Sequence, residues 1–111
     1  MNDKQLSLLG LCRRANLLSM GHDACMGAIA KGKASLCLLS EDASDRLQKK
    51  FAREIEFHES KIPLIHTPFT FEDIKRATGR PAGVLTINDK GFALSFLKLE
   101  ENKTGGNSKI C

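Results

Sequence analysis

A chain of 111 residues is one domain's worth of polypeptide, and 41% hydrophobic residues suffice to bury a core. No apolar run approaches the ~20 residues of a membrane span, and the opening MNDKQLSLLG has no charged stretch leading into a long apolar one, so the expectation is a cytoplasmic protein without a signal peptide. A net charge of +4 and a pI near 9.0 lean toward an acidic partner such as nucleic acid, and fit a mildly basic soluble protein equally well.

Leu6 to Arg14 places Leu6, Leu9 and Cys12 at helical spacing, with Leu8, Leu11 and Ala15 widening the apolar face. Arg13 and Arg14 end this helix where cations suit its dipole, and Asn16 stops it. Leu17 to Met20 is a short strand. Gly21 breaks the backbone, and Asp23 to Ala30 reads as a second helix ending on the cationic turn Lys31-Gly32-Lys33. Ala34 to Ser40 is a nearly continuous apolar run, too short for a helix, as expected of a strand buried on both faces. Asp42 or Ser44 can cap the third helix, Ser44 to Phe57. There Leu47, Phe51 and Ile55 form the inner face. Asp45 to Lys49 and Lys50 to Glu54 pair opposite charges four residues apart, so the outer face reads as ordinary solvated surface.

Pro63 introduces a strand at Leu64-Ile65-His66, broken by Thr67-Pro68. Thr70 with Asp73 resembles a capping box for a fourth helix, with Phe71, Ile74 and Ala77 inward and Gly79 as its left-handed stop. After the loop Arg80-Pro81-Ala82, Val84 to Ile87 is the last strand. Asn88 caps a final helix through Leu99, with Phe92, Phe96 and Leu99 on one side. Glu100 to Cys111 is polar, glycine-containing and aperiodic, the composition of a disordered tail. Alternating helices and strands predict an α/β domain over 1–99 with about four strands in a single sheet, largely parallel or mixed, and helices on both faces, the layering of a three-layer α-β-α sandwich.

Cys12, Cys25, Cys37 and Cys111 are widely spaced, and His22, His58 and His66 show no metal-ligand spacing, so no metal or other cofactor is expected. The first three cysteines sit in apolar patterns and read as core; Cys111 reads as a free exposed thiol. GxSxG, Walker A, GxGxxG and HExxH are all absent, so the chain reads as non-catalytic. A thiol enzyme would need an exposed cysteine beside a histidine. The binding reading rests on Gly21-His22-Asp23 opening a helix whose free backbone N–H groups favour phosphate, with Lys31 and Lys33 beyond it and Arg13 and Arg14 as possible neighbours. Equally, Gly21 is a simple turn and the lysines a simple helix terminus.

The segments GLCRRANLLSMG, AIAKGKASLCLLSEDAS, ATGRPAGVLTI and NDKGFA together resemble the YlxQ-like bacterial branch of the kink-turn-binding ribosomal protein superfamily (the archaeal L-seven-Ae and L-thirty-e type), from about Leu6 to Leu99. The resemblance implies an α-β-α sandwich that binds RNA kink-turns or related internal loops through the start of the second helix and the loop before the last strand. The family frame Gly-x-Asn-Glu-x-x-Lys falls on Gly21-His22-Asp23-Ala24-Cys25-Met26-Gly27. Gly21 matches, Asp23 stands at the Asn position, Ala24 replaces Glu and Gly27 replaces Lys. Lys31 matches a basic residue one turn on, Arg80-Pro81-Ala82 falls on the second contact loop, and Lys75 stands where the family commonly has Gly.

The implied function is a non-catalytic RNA-binding protein, monomeric, ribosome-associated or acting on structured RNA. The expected contacts are Gly21, His22, Asp23, Lys31, Lys33, Arg80, Pro81 and Ala82. The rival reading is a protein-interaction module on the same fold that has lost base-specific RNA reading, favoured by the missing Glu and Lys.

Overall fold

The computed structural model describes residues 3–108, with side chains described through residue 99. Five helices and four strands alternate: α1 (Asp3–Arg14), β1 (Leu18–Met20), α2 (His22–Ala30), β2 (Leu36–Leu39), α3 (Asp45–Phe57), β3 (Leu64–His66), α4 (Phe71–Thr78), β4 (Val84–Ile87) and α5 (Lys90–Ser108). The expected element order is reproduced. The backbone of α5 continues beyond Leu99, where the periodic pattern ends. The side chains of the expected tail, and Cys111 with them, lie outside the described residues.

The sheet order is β1-β4-β2-β3. β4 runs antiparallel to both β1 and β2, while β2 and β3 are parallel. The last strand therefore enters between the first two. Leu36, Cys37, Leu38 and Leu39 are all fully buried, as required of a strand with a helix layer on each face. The pleat divides them. Leu36 and Leu38 join Leu9, Phe69, Ile74, Leu85, Ile87 and Phe96 beneath α1, α4 and α5. Cys37 and Leu39 join Cys25, Ile29, Phe51, Ile55 and Val84 beneath α2 and α3. Alternation persists inside an all-apolar strand because successive side chains must leave on opposite faces.

The cap of α3 is one of the two expected, and that of α5 differs. Ser44 does cap α3, its hydroxyl accepting from the Leu47 N–H at 3.1 Å, but Asp42 reaches across to accept from the Phe71 N–H at the start of α4, 2.8 Å away. At α5 the cap is Asp89, which accepts from the Phe92 N–H at 2.9 Å. Asn88 is held instead in a side-chain relay: the Thr86 hydroxyl donates to its Oδ1 and its Nδ2 donates to the Ser19 hydroxyl, each at 2.9 Å. Thr86 is fully buried, so this relay satisfies a polar side chain inside the sheet. On α4 Ile74 is buried and Ala77 packs partly against the core, Asp73 is buried as well, and Phe71 is 41% exposed. Asp73 is buried because the Thr70 N–H and the Arg76 guanidinium both donate to its carboxylate.

α1 approaches α4 closely at Gly10. A Cβ there would lie 2.7 Å from the Ala77 carbonyl oxygen, so the contact needs a residue without a side chain. On α3 neither expected ion pair forms among the described residues, and Glu54 faces His58 Nε2 at 3.3 Å instead. No helix among the described residues is long and apolar enough to cross a membrane.

Candidate nucleic-acid interface

The start of α2 is built around one backbone feature. Gly21 has φ 92° and ψ 165°, a conformation essentially confined to glycine. Its N–H is used, donating to the Val84 carbonyl at 3.0 Å. Its lack of a side chain leaves α2 without a side-chain cap. The N–H groups of His22, Asp23 and Ala24 therefore begin the helix with no partner inside it, at the positive end of the helix dipole. All three residues are exposed.

What surrounds this turn follows from the topology. Because β4 lies beside β1, the loop leading into β4 passes next to the end of β1 and the first turn of α2. A hollow of about 270 Å³ results, lined by Arg13, Asn16, Leu18, Ser19, Met20, Ala24 and Arg80. Arg13 is half-buried there, its guanidinium against Met20 Sδ. Asn16 holds the left-handed stop of α1 at φ 64°. Gly79, at φ 94°, ends α4 and turns the chain into Arg80, whose N–H donates weakly to the Thr78 hydroxyl at 3.4 Å. Two guanidinium groups thus flank the uncapped helix start, and the Ser19 hydroxyl at the edge of the hollow is held by the Asn88 relay.

Of the expected contacts, Arg80 lines this hollow together with Ala24, while Gly21 and Asp23 belong to the same helix start as Ala24 and Pro81 is exposed. It turns His22 toward α3: its ring meets Phe51 edge-on with centroids 5.7 Å apart, and its Nδ1 lies 3.0 Å from Asp23 Oδ1. Ala82 packs partly against the α1 side of the core. Lys31 and Lys33 are exposed at the far end of α2, roughly 15 Å from Gly21 at 1.5 Å rise per residue. Ala24 is exposed, and a Cβ on Gly27 would meet nothing within 4 Å, so neither position is filled by packing. Asn16, Ser19 and Asn88 were not among the expected site residues. The only sequence signal near them is the Arg13-Arg14 pair, since the strand adjacency that gathers them is a property of the sheet order.

Beneath the turn lies Cys25, fully buried, with its Sγ 3.4 Å from the Ser19 carbonyl and 3.6 Å from that of Val84. Burial pushes its thiol pKa up to about 12. Burial does the same to Cys37, to about 12, and to Cys12, to about 11, with Asp89 adding to the latter. These are the reverse of the lowered values that make a cysteine nucleophilic.

The fold has known counterparts. The family model described as "Ribosomal protein L7Ae/L30e/S12e/Gadd45 family" matches residues 3–95. The chain belongs to that family. Within it, the chain is similar to the RNA-binding protein YlxQ of Enterococcus faecium, 31% identical over 98 residues that cover 88% of this chain and 92% of that protein. It is also similar to the RNA-binding protein YlxQ of Bacillus subtilis (strain 168), 30% identical over 97 residues, 83% and 90% of the two chains. This is the YlxQ-like branch named from the sequence. Among solved structures, a protein of unknown function from Bacillus halodurans C superposes with a TM-score of 0.77 at 31% identity, covering 86% of this chain and 95% of that one. The Giardia lamblia 15.5kD RNA binding protein superposes with a TM-score of 0.67 at 19% identity, covering 86% and 83%, a likeness of fold.

Proposed function

We propose that this chain is a non-catalytic RNA-binding protein that takes a structured internal loop, of the kink-turn kind, at the start of α2. The observation that carries this reading is the uncapped first turn of α2 set between Arg13 and Arg80. Unpaired N–H groups and two nearby arginines, Arg13 held against Met20 and Arg80 exposed, suit phosphate oxygens. The YlxQ relatives, named as RNA-binding, support the same reading. Ribosome association, a monomeric state and a cytoplasmic location belong to this proposal.

The site is strong in phosphate contacts and weak in base readers. Ala24 and Gly27 supply no polar group where the family has Glu and Lys, and Asp23 accepts hydrogen bonds but repels phosphate. Binding therefore rests mainly on backbone and phosphate contact. The test is a titration of a standard kink-turn against a mutant lacking its tandem G·A pairs, at several salt concentrations. Salt-sensitive binding with modest preference for the intact kink-turn is expected. Ala24→Glu with Gly27→Lys projects into open space and should raise kink-turn affinity selectively, a good base-edge contact being worth about 1–3 kcal/mol. Strong preference in the wild type, unimproved by the double change, would place specificity elsewhere. The two bare positions also favour a second reading, a protein-interaction module on the same fold; undetectable binding of every structured RNA tried would select it.

A further inference from the structure

The outer face of α3 lacks the opposite-charge pairing that its sequence suggests. Arg46, Lys49, Lys50 and Arg53 recur at positions i, i+3, i+4 and i+7, and so form one stripe. All four are exposed. The acids that could neutralise them do not: among the described residues none of the four is in an ion pair, and Glu54 is engaged by His58 at 3.3 Å. The four side chains, with Glu54, border an open hollow of about 570 Å³ lined by no other element. Four residues beyond Arg53 on the same stripe stands Phe57, 76% exposed. The ring of His58 lies edge-on to it, centroids 5.0 Å apart. The inward aromatic of this helix, Phe51, is fully buried, so Phe57 is not needed by the core.

We infer that this face is a second nucleic-acid contact that takes a single-stranded RNA segment. The four cations track its phosphates and Phe57 stacks under one base. A cationic track joined to an exposed aromatic face is the combination that holds unpaired strands, where every base offers a π-face. Along the axis, Arg46 to Phe57 spans roughly 16 Å at 1.5 Å per residue, room for a few nucleotides. An acidic membrane surface would also attract the cations. It would need a broad apolar face to enter the lipid, whereas the apolar face of α3 is spent in the core and Phe57 stands alone. No residue of this face lines the α2 hollow, so the inference does not depend on the α2 reading.

The experiment is fluorescence anisotropy of the full chain with a labelled 12-nucleotide oligouridylate over a salt series. The wild type should bind with a steep salt dependence. R46Q/K49Q/K50Q/R53Q should bind at least tenfold more weakly and flatten the log–log salt slope by roughly 3, from four phosphates at about 0.7 each. Phe57→Leu keeps apolar area but removes the π-face; it should weaken binding roughly 5- to 100-fold with the slope unchanged. All five side chains are exposed, so the thermal midpoint of each variant should match the wild type. Photocrosslinking of 4-thiouridine oligonucleotide to the wild type should map to the α3 peptide, a readout that needs no variant. Arg80→Ala should weaken structured RNA at α2 and leave the oligouridylate unaffected, which separates failure of this inference from failure of the α2 reading. Wild-type affinity in the quadruple variant, crosslinks confined to α2, or oligouridylate binding abolished by phosphatidylglycerol vesicles that sediment the protein would each overturn it.

Discussion

The starts of α2 and α4 solve the same problem in opposite ways. Both follow the end of a strand, and both leave backbone N–H groups that need partners. At α4 every device is present: the Thr70 hydroxyl accepts from the Asp73 N–H at 3.1 Å, the Asp73 carboxylate accepts from the Thr70 N–H at 3.0 Å, and Asp42 arrives from another loop to accept from Phe71. At α2 there is no side-chain cap. That end is secured from below, by the Gly21 N–H on Val84, by Cys25 buried against the sheet, and by Phe51 under His22. Three independent anchors underneath let the tip stay open without fraying. The difference teaches that an open helix start is informative only when the protein has held it by other means, as here.

Removing an anchor should expose the contrast most strongly. Phe51→Ala takes away a fully buried ring shared by the α2 and α3 side of the core, and should cost about 3–5 kcal/mol. Amide exchange should then rise more in the first turn of α2 than in that of α4. Equal protection loss at both ends would break the comparison.

Alkaline pH is the next lever. The folded thiols of Cys25 and Cys37 are raised to about 12 and that of Cys12 to about 11, above the ordinary value of 9.0. Between pH 9 and about 11 the unfolded chain therefore loses these protons while the folded chain keeps them. Stability is fully present below pH 9 and falls as pH rises, by roughly 1.4 kcal/mol per thiol per pH unit. Urea midpoints from pH 8 to 10.5 should show this, and Cys25→Ala should reduce the slope. At neutral pH the same three thiols should resist iodoacetamide in the native state.

Gly21→Ala should cost about 1–3 kcal/mol, because φ 92° strains any residue with a Cβ, and should weaken RNA binding along with it. Thr70→Ala, by contrast, should cost about 1 kcal/mol, the loss of one cap, and leave RNA binding untouched. If Thr70→Ala impaired RNA binding as much as Gly21→Ala, the two helix starts would not be functionally distinct. The smallest effect is expected at the far end of α2: Lys31→Ala should leave stability unchanged, weaken all RNAs by a similar factor and lower the salt slope by roughly one.

Much of this was legible in the chain. Element order, the burial of Leu36 to Ser40, the Thr70–Asp73 box and the stop at Gly79 are local, set by periodicity and by backbone preferences of single residues. The misreadings share one cause. Asn88 does not cap α5 but joins Thr86 to Ser19, and Glu54 faces His58 rather than Lys50. A short polar side chain bonds to whatever donor the fold brings within 3 Å, and sequence distance does not measure that.

By itself, then, the sequence determined the alternation of helices and strands, the two-faced burial of β2 and the left-handed turns, because hydrophobic period and glycine conformational freedom act within a few residues. Only the tertiary structure decided that β4 enters between β1 and β2. That insertion carries Arg80 to the first turn of α2, into the hollow that Arg13 also lines. It also decided that the cations of α3 go unpaired. Both are matters of which distant backbone lies alongside which, and strand order within a sheet leaves no periodic trace in a single chain.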